Sequence, residues 1–198
     1  LVTVVILLLV ALVLRGMASR LRAQADSAVL LERQASELSE FSKNLATARG
    51  AANLLRVAHE HITRIFGCTA FALTPNADGK LENAFVSEAG EALDDKDVGV
   101  AQWVFDNGKP AGLSTQTLAE ADALYLPLAG SEAVLGVMGL RPDDPEAADA
   151  LELPDRRRLL EAVAQQTALA LDVDRLEEKA KTTLVAAERE KLRAALLS

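Results

Sequence analysis

Cysteine is nearly absent from this chain. Cys68 stands alone among 198 residues, which excludes an internal disulfide and any cage of several thiolates around a metal. Histidine is almost as scarce: His59 and His61 are the only two. They lie two positions apart on a helical pattern, so their side chains diverge by roughly 200° and cannot ligate one metal together. Positive charge is in deficit, with 21 Lys and Arg against 29 Asp and Glu and a net charge of −8. That balance repels a polyanion, and no nucleic-acid partner is expected. Phosphate-cradling and nucleophile motifs are also missing. Gly79-Lys80 and Gly108-Lys109 lack the spaced upstream glycine and the following hydroxyl residue of a P-loop, and neither GxGxxG nor GxSxG occurs. No catalytic residue and no metal ligand is read from this sequence.

Apolar material is plentiful. Half of the residues are hydrophobic, enough for a sizeable core, which excludes wholesale disorder. Residues 1–14, LVTVVILLLVALVL, carry Thr3 as their single polar member. A membrane-crossing helix needs about 20 apolar residues, so this run reads as the C-terminal part of a transmembrane helix in a chain that is itself a fragment. Arg15, Arg20 and Arg22 follow it before the first acid, Asp26. Basic residues collect on the cytoplasmic side, which puts everything downstream in the cytoplasm. A signal peptide would carry its charge on the other flank.

From Arg22 to Arg49 neither glycine nor proline interrupts the chain, and Leu31, Leu38 and Leu45 recur every seven residues beside Ala28, Ala35 and Ser42. This is either a short heptad seam or an amphipathic helix packed on its own domain. The spacing predicts a helix over 53–66, stopped by Gly67. Two hairpins are expected next. Cys68–Pro75 turns through 75–79 into 81–86, and 123–128 turns through Gly130-Ser131-Glu132 into 134–140. A short helix over 98–106 lies between them. The acidic stretch 142–154, with Asp143, Asp144, Glu146, Asp149 and Glu152, lacks EF-hand spacing and reads as a solvated loop. A run without glycine or proline then extends from Asp155 to Ser198, far longer than an ordinary globular helix.

This order predicts an α+β fold, an antiparallel sheet with helices on one face. Residues 76–155 hold 17 acids against Lys80, Lys96, Lys109 and Arg141, a local charge of −13 that leaves about +5 elsewhere. An acidic globule on a basic membrane-proximal stalk is held off an anionic leaflet. Cys68 opens a buried strand and reads as an inert core thiol, and the two histidines as helix-surface or boundary residues. Phe71, Trp103 and Tyr125, with Phe85 and Phe105, are either plain core or the lining of a small-molecule cavity.

VAQWVFDNGKPAG (100–112), ALYLPL (123–128) and VLGVMGLRPDDP (134–145) together resemble the GAF domain of the KdpD family of bacterial potassium-responsive sensor histidine kinases. EREKLRAALLS (188–198) is similar to the segment that leads in that family into the histidine-containing dimerisation helix. The resemblance implies a GAF-like antiparallel sheet with flanking helices and long N- and C-terminal signalling helices. It divides the chain into a transmembrane end (1–14), a juxtamembrane connector (15–49), a GAF-like core (50–154) and an outgoing signalling helix (155–198). It also implies a bacterial inner-membrane protein, a homodimer through its long helices, contact with membrane lipid, and a response-regulator partner acting through a kinase core that this chain does not contain.

Neither His59 nor His61 lies in the family's phosphoacceptor motif, SxSHDLRTPL. ATP and Mg are expected only in that absent kinase core, so this segment is read as non-catalytic and without cofactor. No NKxnFxxxDE motif for cyclic nucleotides occurs. The outgoing helix carries a possible seam of Val173, Leu176, Ala180, Thr183, Ala187, Glu190, Ala194 and Leu197. The competing expectation is a stand-alone membrane-tethered GAF-like protein that binds a small molecule.

Overall fold

A computed structural model describes residues 35–76, 78–85 and 93–196. The apolar run 1–14, Ala28 and Leu31 of the first seam, Val86 and Leu197 lie outside the described residues. The chain divides into two compact units, Leu1–Glu40 and Phe41–Ser198. In the first, residues 35–40 are helical; the second holds the sheet and is the subject below. Among the described residues no helix is long and apolar enough to cross a membrane.

A helix over 35–47 (α1) buries Phe41 and Leu45. The chain breaks at Gly50 and re-enters a helix at Ala51–Phe66 (α2), which buries Leu54, Leu55, Ala58, Ile62 and Phe66 on one face. Gly67 ends it in the left-handed region at φ 62°, where a residue with a Cβ is disfavoured. β1 (Cys68–Pro75) follows at once, and β2 (Leu81–Phe85) returns antiparallel to it. The Asn76 side chain closes that turn, accepting from the backbone N–H of Asp78 at 2.9 Å and of Lys80 at 3.1 Å. Then come α3 (Asp95–Asn107), a two-residue β3 (Ala111–Gly112), β4 (Leu124–Ala129), β5 (Val134–Pro142), α4 (Pro145–Glu152) and α5 (Pro154–Leu196).

The five strands lie in the order β2-β1-β5-β4-β3, every pairing antiparallel. Alternation along a strand sorts the side chains into two layers. Ala70, Ala72, Leu124, Leu126, Leu128, Met138 and Leu140 share one face, toward α2 and α5. Phe71, Leu73, Tyr125 and Val137 share the other, packed against Ala101 and Val104 of α3. The helices therefore flank both faces, not the single face expected from the element order. A half-apolar chain with strands this rich in leucine has two hydrophobic sheet faces to cover.

Two further expectations are corrected. The stretch 142–154 is not a loop: it contains α4. Asp144 caps that helix by accepting from Ala147 N at 2.7 Å, Pro145 starts it, and Ala147 and Leu151, one turn apart, are buried. The acids face water on a helix that is anchored by its two apolar residues. α3 also begins earlier than 98, because Asp94 is its cap and Asp95 and Asp97 occupy its first turn, where carboxylates complement the helix dipole.

Phe71, Gly139 and Tyr125 sit in register across β1, β5 and β4. A Cβ on Gly139 would lie 2.1 Å from the Phe71 ring, so the missing side chain is what lets that ring lie across β5 towards Tyr125. Gly139→Ala is expected to cost about 1–3 kcal/mol by overpacking. It should lower the urea midpoint at unchanged m, with partial recovery in G139A combined with Phe71→Leu. An unchanged midpoint in G139A would mean that the ring moves aside freely.

Candidate functional site

On the α3 side, a cavity of about 690 Å³ opens between the start of α3, the loop that joins β3 to β4, and the end of β5. Asp97 is its best-defined polar group. Arg141 at the end of β5 donates to Asp97 Oδ2 at 2.8 Å, and the Tyr125 hydroxyl donates to Asp97 Oδ1. The Arg141 guanidinium also lies 5.9 Å from the centre of the Phe71 ring. Phe71 meets Tyr125 edge to face, with ring centres 5.9 Å apart at 73°, a favoured aromatic geometry. Burial, the hydrogen bond to Asp97 and the charge of Asp97 push the Tyr125 phenol well above its ordinary range, against the opposing pull of Arg141. Tyr125 is therefore a fixed donor at neutral pH. Asp94, Lys96, Glu120 and Asp122 complete a charged rim. Val100, Leu118, Ala121 and Pro142 supply the cavity's apolar lining, and among the described residues no aromatic ring lines it.

The structure brings Phe71, Trp103 and Tyr125 into one layer. Phe71 and Tyr125 are buried in it, and Trp103 packs half-buried against it from α3. None of the three lines the cavity directly; Tyr125 reaches it through Asp97. Sequence reasoning missed Asp97 and Arg141, which are 44 positions apart. One signal was present: Arg141 is the single arginine in the acidic stretch 76–155, at the end of an apolar strand.

Cys68 is buried, its thiol pushed up to about 11 by burial and then by Asp143 and Asp144. It is no nucleophile at neutral pH. His59 is half-buried, as the boundary reading expects, and His61 departs from that reading. His59 Nδ1 sits 2.9 Å from Ala70 O, whereas His61 is only 4% exposed and stacks on Phe41 at 4.4 Å. Phe41 lies off the leucine seam, so the seam gave no warning that α1 covers His61. Among the described residues no group of three or more His, Cys, Asp or Glu is placed to hold a metal ion.

On the opposite side of the sheet, α5 is bound to the domain over its first half only. Leu160, Val163, Ala164, Ala168 and Leu171 are buried, and every described side chain from Arg175 to Arg189 is exposed. Polar ties follow the same limit. Asp172 accepts from the Ser131 N–H at 2.8 Å and its hydroxyl at 2.6 Å, and Asp174 accepts from Gly50 N at 2.9 Å. The latter supplies the start of α2 with the cap that its own side chains do not provide. A groove of about 440 Å³, lined by Leu45, Leu54, Leu169 and Val173 among others, runs where α5 leaves the domain.

The family model described as GAF domain matches residues 51–173. The chain belongs to the GAF domain family. It is 32% identical over 198 residues to the sensor protein KdpD of Escherichia coli K12 and 26% identical over 204 residues to KdpD of Clostridium acetobutylicum. All of this chain is covered in both matches, but it spans only 22% of the length of either curated relative. The crystal structure of the native GAF domain of the Escherichia coli potassium sensor histidine kinase KdpD superposes with a TM-score of 0.61 at 31% identity. That match covers 77% of this chain and 98% of the crystallised one. This is a KdpD-like GAF domain, and its model-matched region ends at Val173, where the docked half of α5 gives way to the exposed half.

The Ser131 hydrogen bonds hold the Asp172 carboxyl below its ordinary value of 3.8. A carboxyl depressed on folding contributes stability that is complete above its unfolded value and lost as pH falls through its folded one. Wild type should therefore be more stable than Asp172→Asn at pH 7, and the gap should close below about pH 4. Thermal midpoints of both proteins from pH 7 to pH 2.5 measure this. A gap that does not change with pH would assign the loss to packing and not to the carboxylate.

Proposed function

We propose that this chain is the regulatory module of a membrane-bound, two-component sensor histidine kinase of the KdpD type, coupling a membrane or ligand signal to control of potassium-transport gene expression. The observation that carries this reading is the division of α5. Its first half is tied into the GAF domain, and its second half projects with Leu176, Leu184 and Val185 exposed. Val173 and Leu176 stand at seam spacing and are exposed among the described residues, which suits a helix that packs on something outside its domain. A second copy is that partner in this proposal, through the seam from Val173 to Ala187 that continues α5 beyond the domain.

The kinase core would follow the chain, with its phosphoacceptor histidine, its ATP and Mg site and its response-regulator partner. The apolar run 1–14 and the arginines after it would anchor the module on the cytoplasmic side of the bacterial inner membrane, in contact with lipid. Phe71, Trp103 and Tyr125 would form the aromatic layer behind an effector cavity, joined to it by the bond from Tyr125 to Asp97. Trp103, the sole tryptophan, then reports occupancy: a small molecule that binds there should shift tryptophan fluorescence and the thermal midpoint together. Fluorescence change without stabilisation would deny specific binding in the cavity.

The helix itself is tested by its phase. Each inserted residue turns the downstream helix by about 100°, and seven restore the seam to within about 20°. Insertions of one to seven residues after Lys179 in the full-length kinase should change output periodically. One or two should lock or scramble it, and seven should leave it near normal, by reporter expression at low and high potassium. A flexible tether changes its reach only slowly with length, so a flat series would refute this reading of α5.

A further inference from the structure

We infer that Arg157 is a positioning residue that links the wall of the cavity to the outgoing helix. Three consecutive arginines open α5 and fan out around it. Arg156 donates to Ile65 O at 2.9 Å at the end of α2, and Arg158 lies 3.7 Å from Asp155 of its own helix, both side chains exposed. Arg157 is half-buried and donates through Nη1 to Ser114 O at 2.7 Å. Ser114 belongs to the loop over 113–123, the same loop whose later residues Leu118, Glu120, Ala121 and Asp122 form one wall of the cavity. Among the described residues this hydrogen bond thus joins that loop to the helix proposed to carry the output.

The loop is built to move as a unit. Gly112 N donates to Thr117 O at 2.8 Å, and Thr115 Oγ1 lies 2.7 Å from both the Gly112 and the Thr117 carbonyl. These bonds knot residues 112–117 together, directly ahead of the cavity wall. Two residues of this loop with side chains stand in the left-handed region, Ser114 at φ 57° and Leu118 at φ 54°, against the local preference of L-residues. The orientation of the Ser114 carbonyl is therefore held by its surroundings, and Arg157 is the partner that holds it from outside the loop. A group that enters the cavity and presses on 118–122 displaces the knot, and the displacement reaches α5 at Arg157. Loss of that bond lets Ser114 relax towards ordinary backbone angles, so the loop has two arrangements that the helix and the cavity bias in opposite directions.

The inference rests on the regulatory reading above, but its test does not use kinase output, so failure of one is distinguishable from failure of the other. Amide hydrogen exchange is measured on the full 198-residue chain. Arg157→Ala should speed exchange at Leu113, Thr115 and Thr117 about tenfold, which corresponds to about 1.4 kcal/mol, and Arg157→Lys, which keeps a donor, should restore most of it. Adding Ser114→Gly to R157A removes the Cβ penalty at φ 57° and should recover loop protection without Arg157. Ala121→Leu fills part of the cavity and serves as the probe of occupancy. It should change exchange in the first two turns of α5 several-fold when Arg157 is present and leave it unchanged in R157A. Ala121→Val, the smaller filler, takes its place should A121L not fold. Equal response of α5 with and without Arg157, or loop exchange that R157A does not alter, overturns the inference.

Discussion

Gly139 is the constraint on which the α3 face of this domain depends. It lies on β5, the middle strand of five, opposite Phe71 on one side and Tyr125 on the other. Because it has no side chain, the Phe71 ring occupies the space above it and meets Tyr125 edge to face. That aromatic row is the floor on which α3 packs with Ala101 and Val104. It also sets the height of the Tyr125 hydroxyl, and hence of Asp97, which that hydroxyl and Arg141 hold from two sides. Two acceptor oxygens with two fixed donors form a satisfied, half-buried ion pair. Such a pair is weak evidence for stability and better evidence for a defined geometry. The cavity takes its shape from this geometry.

The two faces of the sheet perform different tasks. The α3 face combines aromatic packing with charge and borders the cavity. The α2 and α5 face is almost wholly aliphatic and anchors the helix that leaves the domain. Each polar tie on that side joins α5 to a different part of the fold: Arg156 to the end of α2, Arg157 to the β3–β4 loop, Gln166 to α1 through Ser42, Asp172 to the β4–β5 turn and Asp174 to the start of α2. They span 156–174 and stop where burial stops. A helix fastened at so many points responds as a rigid body to a shift in any of them, whereas its exposed continuation is free to repack. That is the mechanical property a connector between a sensor and an effector requires.

Local chemistry was legible in the sequence wherever a residue acts on its neighbours in the chain. Gly67 as a helix stop, the turn at 75–79, the hairpin around Ser131 and the uninterrupted α5 were all readable, because turn residues and hydrophobic spacing act within a few positions. The family resemblance was legible for the same reason, carried by three short stretches in one order. α4 was missed because five acids in a short stretch suggested a solvated loop, although one of them, Asp144, is a cap, Pro145 a helix start, and Ala147 and Leu151 two anchors one turn apart. The burial of His61 was missed because Phe41, the ring that covers it, lies outside the leucine seam.

The sequence by itself determined the α+β class, the elements of both hairpins, the charge of the globule and the unbroken helical run after Pro154, since each follows from composition or from contacts between near neighbours. Only the tertiary structure decided that β1 pairs with β5, since that pairing joins residues 64 or more positions apart and no local signal selects a partner strand. From that pairing follow the seating of Phe71 over Gly139 and the meeting of Arg141 with Asp97. The cavity, its charged rim and the link from Ser114 to Arg157 exist only because distant side chains converge after the sheet has closed. Periodicity in one strand or helix reports which face is buried; it carries no information about what lies on the other side of the contact.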